Sequence, residues 1–413
     1  MHITITDLAL GGDGVGRLPD GCAVFVPFTI PGEEVEVEIV TAHKRFARAR
    51  LVEVVKPSPD RIAPRCPLFG RCGGCQYQHL TYDAQLAAKT RQLRETLARL
   101  GGFRDNLPEI AVVRSPHAFG YRNKIRLEKV SDNFSKSVFG FYSTDNETIL
   151  PVEACPIALE SLNQLLAKMA GPTPKTAGNL PSTAAFENRK SAIENTLTLR
   201  QPAVGEAVAF SGRAAATAPP LVEQVLGRDV RVAPDGFWQV NPGVAGELVR
   251  LVAAWAAEAP AEHLVDAYGG VGVFGLAAGR SCRRLTVIEM DTAAVRLARA
   301  NFAAWGLTTA EFIAQPTERA LPRLLAAVAN ANAVTTGLVP GERLMTGEDS
   351  PCSRTHTPSH VSTGASPVMD AAVPATQNST FGIRNSKFSP PDVILDPPRG
   401  GCDAALLAAL VKQ

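Results

Sequence analysis

Charged and apolar residues alternate strictly through Glu34-Val35-Glu36-Val37-Glu38-Ile39, the period-two pattern of a strand with charge outside and apolar side chains inside. Ile3-Thr4-Ile5, Cys22 to Pro27 and Arg48 to Val55 read as further short strands, and Gly11-Gly12-Asp13-Gly14-Val15-Gly16 reads as a glycine-rich turn. Short strands punctuated by Gly and Pro predict a five-stranded OB-like β-barrel over residues 1–56. An amphipathic helix follows from about Thr81 to Leu100, with Thr81 as N-cap and Gly101-Gly102 as its stop. Residues 110–230 read mostly as strands, with one helix near Leu159–Met169 and a Pro/Gly/Thr-rich loop from Gly171 to Pro181.

From Leu264 the period changes to strand, Gly turn, helix, repeated. The strands are Leu264–Tyr268, Leu285–Glu289, Glu311–Ile313 and Asp392–Asp396; the helices are Gly272–Arg280, Thr292–Trp305 and one reaching about Ala327. Such alternation predicts a parallel, doubly wound α/β sheet. Residues 329–390 carry neither period and are rich in Ala, Thr, Ser, Pro and Gly, so disorder is their expected state. The expected organisation is a barrel at 1–56, a mixed α/β central domain at 57–230, and a nucleotide-binding domain at 231–413 interrupted by the insertion 329–390.

Composition narrows the class. A chain of 413 residues, 45% hydrophobic and 20% charged, fits a globular protein of two or three domains. The start lacks a basic segment followed by an apolar run, and no stretch is long and apolar enough to span a bilayer, so the expected location is the cytoplasm, away from membranes. In that compartment the eight cysteines read as ligands or buried thiols rather than disulfides. Net charge is only +2, but residues 1–126 hold 18 Lys/Arg against 13 Asp/Glu, a local +5. Two basic clusters interleave aromatics, Lys44-Arg45-Phe46-Ala47-Arg48-Ala49-Arg50 and Tyr121-Arg122-Asn123-Lys124-Ile125-Arg126. They suit phosphate contacts and base stacking on RNA; an ordinary solvated strand face is the competing reading. No obligate protein partner is implied.

Candidate chemistry lies in two places. Cys66, Cys72 and Cys75 crowd one loop, and Cys155 arrives about a domain later. Four sulfurs so spaced suit a structural zinc or a 4Fe-4S cluster; unrelated buried thiols are the third reading. Farther on, Gly270-Val271-Gly272-Val273-Phe274-Gly275 formally satisfies the dinucleotide pattern G-x-G-x-x-G, and Glu289 lies where a ribose-binding acid belongs. A nicotinamide oxidoreductase is one reading of that match. Two features favour S-adenosylmethionine instead. Asp266 stands before the glycines, where it can face a cationic methionyl group, and Asp396-Pro397-Pro398-Arg399 adds a second acidic strand end. Without a ligand, Asp396 would read as a helix N-cap and Gln239 as a loop amide.

Taken together, these residues resemble the RNA uracil-5-methyltransferase family, in particular its members with a TRAM domain and an iron–sulfur cluster. The resemblance spans nearly the whole chain apart from 329–390. It rests on the barrel, on Cys66-x5-Cys72-Gly73-Gly74-Cys75 with Cys155-Pro156, on Phe237-Trp238-Gln239-Val240-Asn241, and on the glycine and Asp396 segments. It implies that Cys66, Cys72, Cys75 and Cys155 hold a 4Fe-4S cluster. It likewise implies that Gln239 contacts S-adenosylmethionine, that Tyr268 packs against it, that Glu289 holds its ribose hydroxyls, and that Asp396 closes the site near the target base. The implied activity is methylation of uracil C5 in RNA, with 23S ribosomal RNA favoured over transfer RNA. Three positions depart from the family pattern: Gly269 where many relatives have cysteine, Val273 where a small polar residue is usual, and Pro316 where an Asp or Asn would meet the adenine.

Family chemistry also needs a thiolate that adds to C6 and a glutamate base, expected on the strand after Asp396 and beyond. The chain stops at Gln413 before either, so no catalytic residue is assigned, and a C-terminally truncated enzyme is the expectation. Cys402 reads as the start of the next helix rather than as a substitute nucleophile. A non-catalytic RNA-binding remnant and an NAD-linked oxidoreductase are the alternatives.

Overall fold

The computed structural model describes residues 1–99, 101, 107, 109–131, 137–170, 196–336 and 392–395. Five strands, β1 (His2–Leu8), β2 (Gly14–Arg17), β3 (Ala23–Val26), β4 (Glu34–Ala42) and β5 (Phe46–Lys56), close into a barrel in the order β1-β2-β3-β5-β4. Its interior is filled by the alternate residues Ile3, Ile5, Val24, Val26, Val35, Val37, Ala47 and Ala49. Two readings change here. Gly14 and Gly16 lie on strand β2 rather than in a turn: a Cβ at Gly16 would stand 2.8 Å from the Thr4 carbonyl, and one at Gly14 would collide with Thr29. Ile39 is exposed: it pairs with Ala49 in unbroken register from Val37, but the end of β4 from Glu38 to Ala42 is exposed throughout, so the alternation that buries Val35 and Val37 stops short of it.

Helix α1 (Tyr82–Arg99) begins where Thr81 Oγ1 accepts the Ala84 N–H at 3.4 Å, and the Thr81 hydroxyl donates to Asp60 Oδ1 at 3.1 Å. The central sheet runs β10-β9-β6-β7-β8, with β6 (Lys124–Ser131), β7 (Ser137–Tyr142), β8 (Ile149–Pro151), α2 (Glu160–Ala170), β9 (Thr196–Arg200) and β10 (Val208–Ser211) following in the chain. Leu162 and Leu166 of α2 pack on Ile125, Leu127 and Leu199 of the sheet. A short helix α3 (Gly212–Thr217) and a hairpin, β11 (Leu221–Val225) with β12 (Arg228–Val232), lead out of it.

Helix α4 (Pro242–Glu258) escapes the hydrophobic pattern because it is apolar nearly all round: Leu248, Leu251 and Trp255 remain exposed on it. Its start was marked all the same, since Asn241 caps it and Pro242 opens its first turn. Then come β13 (Ala261–Ala267), α5 (Val273–Ala278) with a 3-10 turn at Gly279–Ser281, β14 (Cys282–Ile288), α6 (Thr292–Trp305), β15 (Glu311–Ile313), α7 (Thr317–Thr336) and β16 (Asp392–Leu395). The strands are parallel, in the order β15-β14-β13-β16. Helix α7 extends past the expected end near Ala327 and takes up the first residues of the 329–390 segment. The rest of that segment, the loop from Gly171 to Pro181, and Cys352, Asp396 and Cys402 lie outside the described residues. Among the described residues no helix is long and apolar enough to cross a membrane.

Candidate functional site

The sheet reverses direction of growth at β13. Strands β14 and β15 are added on one side of it and β16 on the other, so the carboxyl ends of β13 and β16 border a crevice of the kind that holds nucleotides in open α/β sheets. Ala267 and Leu395 are register partners, so the two chain segments leave the sheet side by side.

The loop after β13 is tightly determined. Tyr268 adopts φ +59°, a left-handed conformation that costs a non-glycine residue free energy, and its hydroxyl donates to Glu318 Oε1 of α7 at 2.8 Å. Gly272, at φ +88°, caps α5 against the ring of Phe302, where a Cβ would collide with that ring. Glu289 ties two turns together: Oε2 accepts the Gly270 N–H at 3.0 Å and Oε1 the Asp291 N–H at 2.7 Å. This carboxylate therefore stands at the crevice with one lone pair of each oxygen already engaged.

Asp266 takes a different part from the one its sequence position suggested. It is buried beneath the loop, and Oδ2 accepts the Gly275 N–H at 2.7 Å in the first turn of α5. It anchors the helix start instead of facing the crevice. Gly269 is explained by packing, since a Cβ there would stand 2.6 Å from Val287 Cγ1 and 3.2 Å from Asp266 Cγ. Val273 opens α5, and the Pro316 carbonyl accepts the Arg319 and Ala320 N–H groups at 3.0 and 3.1 Å to start α7.

Gln239 sits half-buried between two anchors. Trp238 is buried in the same core as Val271 and Phe274, which brings the Gln239 segment against the glycine loop. Downstream, Asn241 Oδ1 accepts the Val244 N–H at 3.3 Å and Nδ2 donates to Ser115 Oγ at 2.9 Å. Asn301 of α6 completes the tie: Nδ2 donates to the carbonyls of Val271 (3.3 Å) and Arg231 (3.0 Å), and Oδ1 accepts the Arg231 N–H at 2.8 Å. Sequence reasoning singled out neither Asn301 nor Glu318; a buried Asn on an apolar helix face was the available signal for the first.

The four predicted cysteines share one cavity. Cys66, Cys72, Cys75 and Cys155 are half-buried free thiols lining one cavity of about 270 Å³, with Leu68, Phe69 and Arg122. Backbone ties hold the loop: Gln78 Oε1 accepts the Cys66 N–H at 3.1 Å, and Gly73 N–H donates to the Tyr142 carbonyl at 3.1 Å. Cys155 N–H donates to Asn163 Oδ1 at 2.9 Å. Burial pushes the thiols of Cys72, Cys75 and Cys155 up, and neighbouring cysteines add to it. Left to themselves they stay protonated; a bound metal would be needed to hold them as thiolates. Among the described residues no three His, Cys, Asp or Glu side chains are placed to hold a single metal ion. Four cysteine thiols on one cavity are a donor set for a group that takes sulfur ligands, a structural zinc or an iron–sulfur cluster.

The two basic clusters part company. On the barrel exterior, Arg48 lies over the Phe25 ring at 6.0 Å, Phe25 and Phe46 meet edge to face at 5.8 Å, and His43 stacks on Phe46 at 4.5 Å. Lys44, Arg45, Arg48 and Arg50 are exposed around them. The Tyr121–Arg126 cluster is largely turned inward, with Arg122 lining the cysteine cavity and Lys124 bonded to backbone carbonyls.

The TRAM domain family model matches residues 1–52. The chain is 31% identical over 366 residues to a protein of Gloeobacter violaceus described only as an RNA methyltransferase, covering 79% of this chain and 80% of that one. It is 32% identical over 320 residues to the 23S rRNA (uracil(1939)-C(5))-methyltransferase of Chromohalobacter salexigens, covering 71% of this chain and 66% of that one. Among solved structures, the tRNA (uracil-54, C5)-methyltransferase of Pyrococcus abyssi in complex with S-adenosyl-L-homocysteine superposes with a TM-score of 0.54 at 24% identity, over 76% of this chain and 79% of the other. That likeness establishes the fold.

Proposed function

Because this chain belongs to a family of TRAM-containing RNA methyltransferases, we propose that it methylates C5 of a uracil in RNA, with 23S ribosomal RNA as the substrate and S-adenosylmethionine as the donor. The observation that carries the choice of base and RNA is the similarity to the 23S rRNA uracil-C5 methyltransferase of Chromohalobacter salexigens. S-adenosylmethionine, when bound, supplies an electrophilic methyl group.

The residues divide the work as follows. Glu289 offers its remaining lone pairs to the ribose hydroxyls, while its bonds to Gly270 and Asp291 keep the carboxylate aimed at the crevice. Tyr268, locked by Glu318, packs its ring against the donor. Gln239 presents its amide from a segment fastened at Trp238 and Asn241, and the family role of Asp396, beside the target base, belongs to the same reading. The Phe25, Phe46 and His43 rings with Arg48 offer an unpaired RNA strand stacking and phosphate contacts on the barrel's outer face. Such a substrate places the protein's work in the cytoplasm.

Cys66, Cys72, Cys75 and Cys155 hold a 4Fe-4S cluster in this reading, supported by their shared cavity. The cluster would join the loop after the barrel to the segment before α2, a structural role. Among the described residues no cysteine stands at the carboxyl edge of the parallel sheet, since Cys282 opens β14 at the opposite edge.

The test is titration calorimetry of the anaerobically purified full chain with S-adenosylmethionine and with NAD. Methyl transfer to ribosomal and transfer RNA is then read as 5-methyluridine by mass spectrometry. Binding of S-adenosylmethionine alone, with iron near four per chain, is the expected result. Binding of NAD alone overturns the reading, and iron-free protein indifferent to Cys→Ser replacement overturns its cluster.

A further inference from the structure

Lys124 of β6 and Arg200 of β9 are register partners on adjacent antiparallel strands, two cations directly opposite one another. Like charges so placed repel, and the pair persists only if something negative faces it. What faces it is a run of four consecutive backbone carbonyls. Lys124 Nζ donates to the carbonyls of Asp235 and Gly236, both at 2.9 Å. Arg200 Nη1 donates to those of Ala233 (3.2 Å), Pro234 (3.4 Å) and Gly236 (3.2 Å). The other side of the Arg200 guanidinium is held by Glu223 of β11, whose Oε1 accepts from Nη2 at 2.8 Å and from Nε at 3.2 Å. The two cations make charge-assisted bonds to all four carbonyls, while the Ala233 carbonyl also accepts the Gly236 N–H at 3.0 Å within the turn. The segment immediately before Phe237 is therefore shaped by side chains of a different sheet.

The same two strands also grip the segment from beyond. The Val240 carbonyl accepts the Asn123 N–H at 2.9 Å, and the Asn123 carbonyl accepts the Gln201 N–H at 2.8 Å. Gln239 is thus held upstream through Lys124 and Arg200 and downstream through Asn123, the residue before β6, which Gln201 after β9 ties in turn. We propose that Lys124 and Arg200 are positioning residues for the methyl donor: by holding the 233–236 carbonyls they set where Gln239 meets it. This rests on the reading of the crevice as an S-adenosylmethionine site.

Protonation gives the inference a second handle. Burial first, then the Arg200 charge, pull the Lys124 ammonium down to about 8, with Arg126 of the same strand acting likewise and Asp235 of the gripped segment opposing. Above that pH the lysine loses the charge that makes it a strong partner for the carbonyls.

The experiment measures S-adenosylmethionine affinity by calorimetry on the full chain for the unmodified protein, Lys124→Met and Lys124→Arg, alongside the thermal unfolding of each. Two charge-assisted bonds lost predict about tenfold weaker binding for K124M, with the unfolding transition retained and binding restored in K124R. The affinity ratio of K124R to the unmodified protein should rise as pH passes from about 7 to 9, because only the lysine discharges there. The ligand's own amine titrates equally in both and cancels. A folded K124M that binds as well as the unmodified protein overturns the proposal. If K124M does not fold, a ratio that stays flat with pH overturns it. Failure of the unmodified protein to bind the donor at all is a different outcome and strikes the donor site itself.

Discussion

The outer face of the barrel and the central sheet both use arginine–carboxylate pairs, and these pairs differ in burial. On that face, Arg50 pairs with Glu38, both largely in water, and the exposed Arg48 with a half-buried Asp13, whereas Arg200 and Glu223 are 0% and 3% exposed. A solvated pair gains little, because water already serves both partners. A buried pair cannot be relieved by water, so removing one member strands the other. The barrel's cations are consequently free to trade their partners for an RNA backbone, while those of the central sheet are committed to shaping one segment. Position, not residue type, separates a docking charge from a building charge.

The sharpest way to break that contrast is Arg200→Met. It leaves Glu223 buried without its cation and removes three bonds to carbonyls, so a loss of about 3–5 kcal/mol is expected. Thermal unfolding followed by circular dichroism reads it; a shift of less than about 2 °C would mean the pair is no more structural than those on the barrel.

An intermediate effect is expected at the seam between barrel and cysteine loop. His79 is buried there against the rings of Phe69 and Phe28, near Arg61 and Glu33. Burial, then the Arg61 charge, press its imidazole down from 6.5 to about 4. A folded-state value below the unfolded one means that the neutral ring is favoured in the fold. Its contribution is full above about pH 6.5 and is lost as pH falls toward 4. The loss is about 3 kcal/mol. Urea midpoints at several pH values should show this decline, and His79→Phe should remove that part of it; an unchanged slope in the variant would assign the acid sensitivity elsewhere.

The smallest effect belongs to Arg50→Ala, whose partner Glu38 is solvated. Its stability should stay within about 0.5 kcal/mol of the unmodified protein by the same urea measurement. A larger loss would show that the barrel's outer charges are structural after all.

Legibility from sequence follows the range of the interactions. Helix α6 begins and ends where its period says it should, at Thr292 and Trp305, since that signal sits within the segment itself. The barrel was readable from Val35 and Val37, yet not at Ile39, where the end of β4 runs out exposed on both faces. The four cysteines line one cavity, while Asp266 is a helix anchor rather than a ligand-facing acid. Least legible were Lys124 and Arg200. They sit 112 and 36 positions before Gly236, and nothing in a local window distinguishes a cation that grips a remote carbonyl from one that awaits phosphate.

Strand β16 joins the sheet on the far side of β13, yet β15 ends at Ile313 and β16 begins only at Asp392. During synthesis the barrel and the sulfur-lined cavity have all their parts long before that strand leaves the ribosome. Chains fold domain by domain from the amino end. A nascent molecule therefore displays its aromatic and basic outer face while one wall of the crevice is still unmade, and its two halves come of age at different times.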